Sequence, residues 1–332
     1  MTVRRAAVWA LGLAAVAGPA LAETRPRRAT LQPVAEARTS DGVVALAAPP
    51  HDRVRFSAGT FFMGTVPGTS ARVLELCARE SPDSACELPL LFERAVIGEW
   101  RTLAALVDTE SARHAVTLAA FWLDTREVTV GEYARCADAG ACSFAPLRQG
   151  GAERFRSRPD LPASFVTWED ARDYCKFRGA RLPTEAEWER AARGLSGREF
   201  PWGNVYNRHL ANHGTFDLAR VRGVEHRVAE LELDDRDGVL EVAPVGSFPD
   251  GRTREGVHDL AGNVAEWVED VFLPEFDPAP VTNPRGPASG PWRVVRGGSY
   301  HHPAPYLRGA SRGFVPPGAR QPWIGFRCAE SA

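Results

Sequence analysis

The sequence predicts an α+β fold, loop-rich and with little regular secondary structure, built as one globular domain over residues 53–332. Three observations carry that expectation. Helix-start signals crowd the middle of the chain, and beyond Phe200 short β-prone runs are broken by Gly, Pro, Asn and Asp. No βαβ alternation and no internal repeat of fixed period runs through either half. The length of 332 residues by itself suggests about two domains, a prior that large loop-rich domains routinely break.

In chain order, Arg4 and Arg5 form a basic n-region, residues 6–17 an apolar stretch too short to span a bilayer, and Ala20-Leu21-Ala22 a small-residue cleavage site. Residues 1–22 are therefore expected to be a removable signal peptide, which makes the mature protein periplasmic or secreted. No cysteine precedes Cys77, so a lipoprotein anchor is not expected, and no later apolar run reaches transmembrane length. Residues 23–52, rich in Ala, Arg, Thr and Pro without periodicity, read as a flexible tether.

Within the domain, Thr129 is expected to cap a helix running to about Ala139, where Gly140 turns the chain back. Two capping boxes follow, Thr167-Trp-Glu-Asp170 and Thr184-Glu-Ala-Glu187, in which side chain and backbone satisfy each other's free donors. Trp168, Ala171 and Cys175 share one face of the first helix. Trp188, Ala191, Ala192 and Leu195 share one face of the second, a spacing that points to core.

Composition narrows the function. Hydrophobic residues at 44% and charged residues at 25% are those of an ordinary globular chain, and a net charge of -2 offers no steering field for nucleic acid. Lys176 is the sole lysine; it lies in a helical pattern with no glycine-rich phosphate cradle before it, which removes a P-loop and makes Schiff-base chemistry a poor fit.

In an oxidising compartment six cysteines read as a disulfide framework. Six allow fifteen pairings. Proximity suggests Cys77 with Cys86 and Cys136 with Cys142, which leaves Cys175 and Cys328. None of the spacings is Cys-x-x-Cys, so a thiolate metal site is the weaker alternative.

Eight short words then follow one another: Phe62-Met-Gly64, Glu127-Val-Thr129, Leu182-Pro-Thr-Glu-Ala-Glu-Trp-Glu189, Phe200-Pro-Trp-Gly-Asn204, Ala243-Pro-Val-Gly246, Asp259-Leu-Ala-Gly-Asn-Val-Ala-Glu-Trp267, Arg296-Gly-Gly-Ser299 and Gly325-Phe-Arg-Cys328. In order and spacing they resemble the formylglycine-generating enzymes, also called sulfatase-modifying factor domains, over about residues 55–330. The resemblance implies a C-type-lectin-like fold and a bond between Cys175 and Cys328. Residues 66–111 depart from the family as an insertion holding Cys77 and Cys86.

On its own spacing the segment from Asp259 to Glu266 is either a hard-cation loop, with Gly262 permitting the bend, or an Asx turn, and the turn is the simpler reading. The resemblance reverses this. It implies structural calcium on Asp259, Gly262, Val264 and Glu266, with a second set on Asn212, His213, Asp237 and Val239, where His213 and Val239 serve through their carbonyls.

The family's oxidase chemistry requires two cysteines shortly after the Gly-Gly-Ser word, which hold copper(I). Here those positions fall on His302 and Leu307, so copper is not expected. His301 and His302 raise a replacement metal site, but adjacent residues of an extended segment point to opposite faces and share one ion poorly. Gly309-Ala-Ser-Arg-Gly313 matches the nucleophile elbow, yet no histidine follows Ser311 to complete that hydrolase order. No His-Glu-x-x-His helix is present. The sequence thus reads as a binding or structural domain with a cleft around Ser299, Tyr300, His301, His302, Tyr306, Arg308 and Arg312, whose aromatic and arginine side chains are the anchor types favoured by peptide or protein partners. A noncanonical oxidase acting on a peptide or small molecule is the alternative.

Overall fold

A computed structural model describes residues 52–81, 85–90, 101–148, 157–219 and 228–332, all within one compact unit. The expected signal peptide and all of the tether but Asp52 lie outside these residues. Among the described residues the first element is strand β1 (Arg53–Phe56), which pairs antiparallel with β4 (Phe121–Asp124). Phe56 stacks on Phe121 at 5.0 Å. The last strand, β12 (Ala329–Ser331), closes the other side of β4, so the two ends of the domain meet in one sheet.

A second sheet orders β2 (Gly59–Met63), β3 (His114–Leu118) and the short β8 (Val281–Thr282). Alternation decides the faces of β2: Phe61 is buried and Phe62 is half exposed. The third and most buried sheet runs β10 (Arg312–Val315), β9 (Arg293–Arg296), β7 (Ala265–Val271) and β11 (Ile324–Gly325). A two-stranded ribbon of β5 (Thr215–Ala219) and β6 (Val228–Glu232) completes the strands. Strands are thus spread through the chain rather than confined to the part beyond Phe200.

Helices sit where local chemistry puts them. The helix Val130–Asp138 starts at Thr129 with a full capping box, and Gly140 follows its end at φ 74°. Trp168–Phe177 and Glu185–Arg193 also carry complete boxes, on Thr167 with Asp170 and on Thr184 with Glu187. In chain order these are α3, α5 and α6; α1 is Thr69–Glu80, α2 Leu103–Asp108 and α4 Ala145–Arg148. The expected core faces are found, with Ala171, Cys175, Trp188, Ala191 and Ala192 fully buried. Leu195 is the exception, at 60% exposure. Gly194 caps α6 with φ 65°, so the helical period ends before Leu195 and the side chain turns out to solvent.

All three expected disulfides are formed: Cys77–Cys86, Cys136–Cys142 and Cys175–Cys328. The described residues of segment 66–111, expected as an insertion, contribute to the core. Val73, Cys77, Cys86, Leu103, Leu106 and Val107 join the main apolar cluster with Phe61, Trp188 and Phe314. No helix among the described residues is long and apolar enough to cross a membrane.

Candidate binding cleft and loop sites

The segment after β9 is set by two glycines in left-handed backbone, Gly297 (φ 92°) and Gly298 (φ 68°). A Cβ on Gly298 would lie 3.0 Å from the Leu307 side chain and from the Tyr306 carbonyl oxygen, so the chain turns tightly against the 3-10 turn Ala304–Leu307. That turn corrects the expectation for the histidine pair. Ser299 Oγ lies 2.8 Å from His301 Nδ1 and 2.7 Å from His302 Nδ1, so both imidazoles converge on one hydroxyl rather than pointing apart. The segment is a turn, and the alternation of an extended strand does not apply. Both rings also approach Trp323, at 5.5 and 5.3 Å. Burial lowers His301 to about 4 and takes His302 well below the usual imidazole range, so both are neutral at physiological pH.

The expected cleft residues are mostly interior. Ser299, Tyr300, His302, Tyr306, Arg308 and Arg312 are buried and His301 is half-buried. The beginning of a cavity beside His302, Tyr306 and Trp323 has a volume of only ≈ 30 Å³, room for about one water. The two guanidiniums, expected as anchors for a partner, are held inside the molecule. Arg308 grips Glu110 through both carboxylate oxygens, and Arg312 grips Glu185 at 2.6 and 3.0 Å. Glu189, fully buried on α6, accepts from Arg193 at 2.6 Å, from Arg296 at 2.7 Å and from the Gly64 amide at 2.8 Å. Planar bidentate pairing is what arginine offers and lysine does not. This buried network was not anticipated; the i, i+4 series Glu185, Glu189, Arg193 on α6 was the available signal.

The large cleft lies elsewhere and shares only Arg308 with the expected set. It has a volume of ≈ 780 Å³, and is walled by α1 of the insertion on one side and by Phe200, Asn204 and Tyr206 on the other. That volume falls in the range of ligand pockets.

The two loop sets expected to hold calcium are zipped together. The Asn263 amide donates to the Asn212 carbonyl at 2.9 Å, and a Cβ on Gly262 would lie 2.0 Å from that same oxygen. Asn212 Nδ2 also reaches Asn263 Oδ1 at 3.1 Å. In the first set Glu266 is engaged: Arg327 binds both its oxygens at 2.7 and 2.6 Å, and Trp188 Nε1 donates at 2.9 Å. Asp259 accepts from the Gly246 amide at 2.6 Å. Burial pushes Asp259 up to about 6, and it pushes the neighbouring Glu127 well above the carboxylate range with help from the charges of Asp259 and Glu266. Glu127, absent from the expected set, accepts from Asn263 Nδ2 and from the Val264 amide at 2.8 and 3.1 Å. As found, the Glu266 carboxylate is committed to Arg327 and Trp188, so in the first set Asp259 and the carbonyls of Gly262 and Val264 are the oxygens left to face an ion. The second set fits better. Asp237 caps the His213 and Val239 amides at 2.7 and 2.8 Å, and Asn212 Oδ1 is a buried acceptor with no hydrogen-bond partner among the described residues. No cluster of three or more His, Cys, Asp or Glu side chains suited to a metal occurs among the described residues; the second set calls on carbonyl and amide oxygens instead.

Comparison with known proteins places these features in context. Residues 48–332 match the sulfatase-modifying factor enzyme 1-like domain family. The chain is 40% identical over 190 residues to a formylglycine-generating enzyme of Streptomyces coelicolor, covering 55% of this chain and 57% of that protein. It is 36% identical over 184 residues to the mouse protein named inactive C-alpha-formylglycine-generating enzyme 2, covering 55% and 53%. The chain thus spans about half the length of the curated relatives it matches. Among solved structures, PvdO from Pseudomonas aeruginosa aligns with a TM-score of 0.57 at 27% identity over 84% of this chain and 94% of that one. Treponema denticola variable protein 1 aligns with a TM-score of 0.56 at 19% identity, over 84% and 95%, a likeness of fold alone.

Proposed function

The chain belongs to the family of sulfatase-modifying factor enzyme 1-like domains, and from that premise we propose that it acts outside the cytoplasm as a binding module rather than as a copper(I) oxidase. One observation carries this reading. All six cysteines are closed in disulfides, and the two positions where the family's thiols would stand hold buried Leu307 and buried His302, the latter beside a cavity of ≈ 30 Å³. Soft thiolate ligation of copper(I) has no donor here. Three disulfides support an oxidising compartment, periplasmic or extracellular. The partner is a peptide or protein held in the large cleft.

Calcium at the second loop set belongs to the same proposal. Asn212 and Asp237, with the carbonyls of His213 and Val239, would hold it, and the ion would supply rigidity to loops with few ladder hydrogen bonds of their own. Addition of calcium at about 100 times its Kd should then stabilise the fold by about 2.7 kcal/mol. Thermal melts with calcium and with chelator check this; coincident melts remove the ion from the account.

The convergence of Ser299, His301 and His302 favours a second reading, a noncanonical metal-dependent oxidase using imidazole donors. Metal analysis of the purified mature protein, with mass spectrometry of a Cys-x-Pro-x-Arg peptide incubated with it, separates the two. Stoichiometric copper or iron together with peptide oxidation would replace the binding-module reading by the oxidase; an unchanged peptide supports the former.

A further inference from the structure

We infer that the large cleft takes an acidic peptide segment, held in extended form along α1. The inference rests on the binding-module reading and names its ligand class. The cleft face of α1 is one helical stripe, Thr69, Arg72, Val73, Leu76, Arg79 and Glu80. Val73 and Leu76 are buried and form an apolar floor, while Arg72 and Arg79 are exposed on the rim. A third guanidinium, Arg113, stands over the Phe62 ring at 4.4 Å on the same cleft.

The carboxylates of the cleft offset these charges only in part, since Glu80 has a cation of its own and Glu199 shares Arg308 with Glu110, against three guanidiniums on Arg72, Arg79 and Arg113. Glu80 takes Arg208 at 2.9 Å, and Glu199 lies 3.5 Å from Arg308. The other two arginines of the lining, Arg193 and Arg308, are paired inside with Glu189 and Glu110. Among the described residues Arg72 has only a 3.5 Å approach to Thr69 Oγ1. The neutral polar groups agree in sense: Thr65 Oγ1 and the Tyr206 hydroxyl, both lining the cleft, are buried without a hydrogen-bond partner among the described residues. Guanidiniums offer only donors and hydroxyls can donate, so the cleft asks for a ligand rich in acceptors and negative charge.

Spacing narrows the ligand further. Arg72 and Arg79 are seven residues apart, about 10.5 Å along the helix axis. Carboxylates three residues apart in a polyproline II segment lie on one face about 9.3 Å apart, a close match. The apolar floor then takes the side chains between them.

The test is fluorescence anisotropy of the full chain with a labelled ten-residue peptide carrying two aspartates three positions apart, beside its Asn counterpart. The aspartate peptide should bind, the Asn peptide at least tenfold more weakly, and R72Q and R79Q should each weaken binding by roughly tenfold. Both arginines are exposed, so unchanged melting of the variants certifies the fold. Equal binding of both peptides, or binding indifferent to R72Q and R79Q, overturns the acidic-ligand inference and leaves the binding-module reading standing. Binding of neither peptide overturns the acidic-ligand inference, and the binding-module reading then stands or falls on the metal and oxidation assay. Capture of a sulfated oligosaccharide in preference to the aspartate peptide also overturns the peptide assignment.

Discussion

At the scale of single residues, the interior is governed by how buried charge is handled. Arg296, Arg308, Arg312 and Arg327 are all nearly inaccessible, and each faces a carboxylate. Asp270, like Glu127 and Asp259, is a buried acid with no guanidinium across from it among the described ion pairs. Its Oδ2 accepts from the Glu185 amide at 2.7 Å. Burial first, and the charge of Glu185 second, push it up to about 7. A carboxyl raised on folding binds more protons folded than unfolded, between about 3.9 and that value. Its contribution is therefore complete below the unfolded pKa and is lost as pH rises through the folded one. Asp270→Asn keeps the acceptor and removes the charge. It should stabilise the protein by roughly 2–4 kcal/mol at pH 8 and by almost nothing at pH 4. Urea denaturation at the two pH values measures this, and a pH-independent effect would refute the assignment.

At the scale of elements, helices obey local rules that strands and loops do not. Thr129, Thr167 and Thr184 each cap a helix because the partner carboxylate stands three residues ahead, a distance short enough to read from the chain. The insertion is different. Its helices are anchored by Glu110, just beyond α2, whose partner Arg308 is 198 residues away. Burial raises Glu110 even against the pull of Arg308, so the pair is held in a dry setting. Glu110→Ala should cost about 3 kcal/mol, because the buried guanidinium loses its bidentate partner and keeps only the 3.5 Å approach of Glu199. Chemical denaturation reads that loss; a cost under 1 kcal/mol would mean that Arg308 finds water instead.

At the scale of the whole molecule, the Cys175–Cys328 bond spans a sequence separation of 153, against 9 and 6 for the other two. In the chain-entropy model a loop of that size contributes about 5 kcal/mol and the short loops about 2 to 3. The double variant C175S/C328S should therefore be the least stable of the three paired replacements by thermal melting. An equal loss for all three would show that loop length does not govern them here.

The sequence by itself determined what depends on near neighbours or on a string of short words: the capped helices, the disulfides Cys77–Cys86 and Cys136–Cys142, the α+β class and the family. The bond between Cys175 and Cys328 was reached by what remained and by resemblance. Tertiary structure alone decided the rest. It folded His301 and His302 onto Ser299 through a glycine turn, drew Arg308 and Arg312 inward, closed Glu266 onto Arg327 and opened the large cleft beside α1. The reason is physical. A cap is satisfied within one helical turn, whereas a buried charge or a cleft wall is completed by groups far along the chain, whose arrival depends on how the core packs.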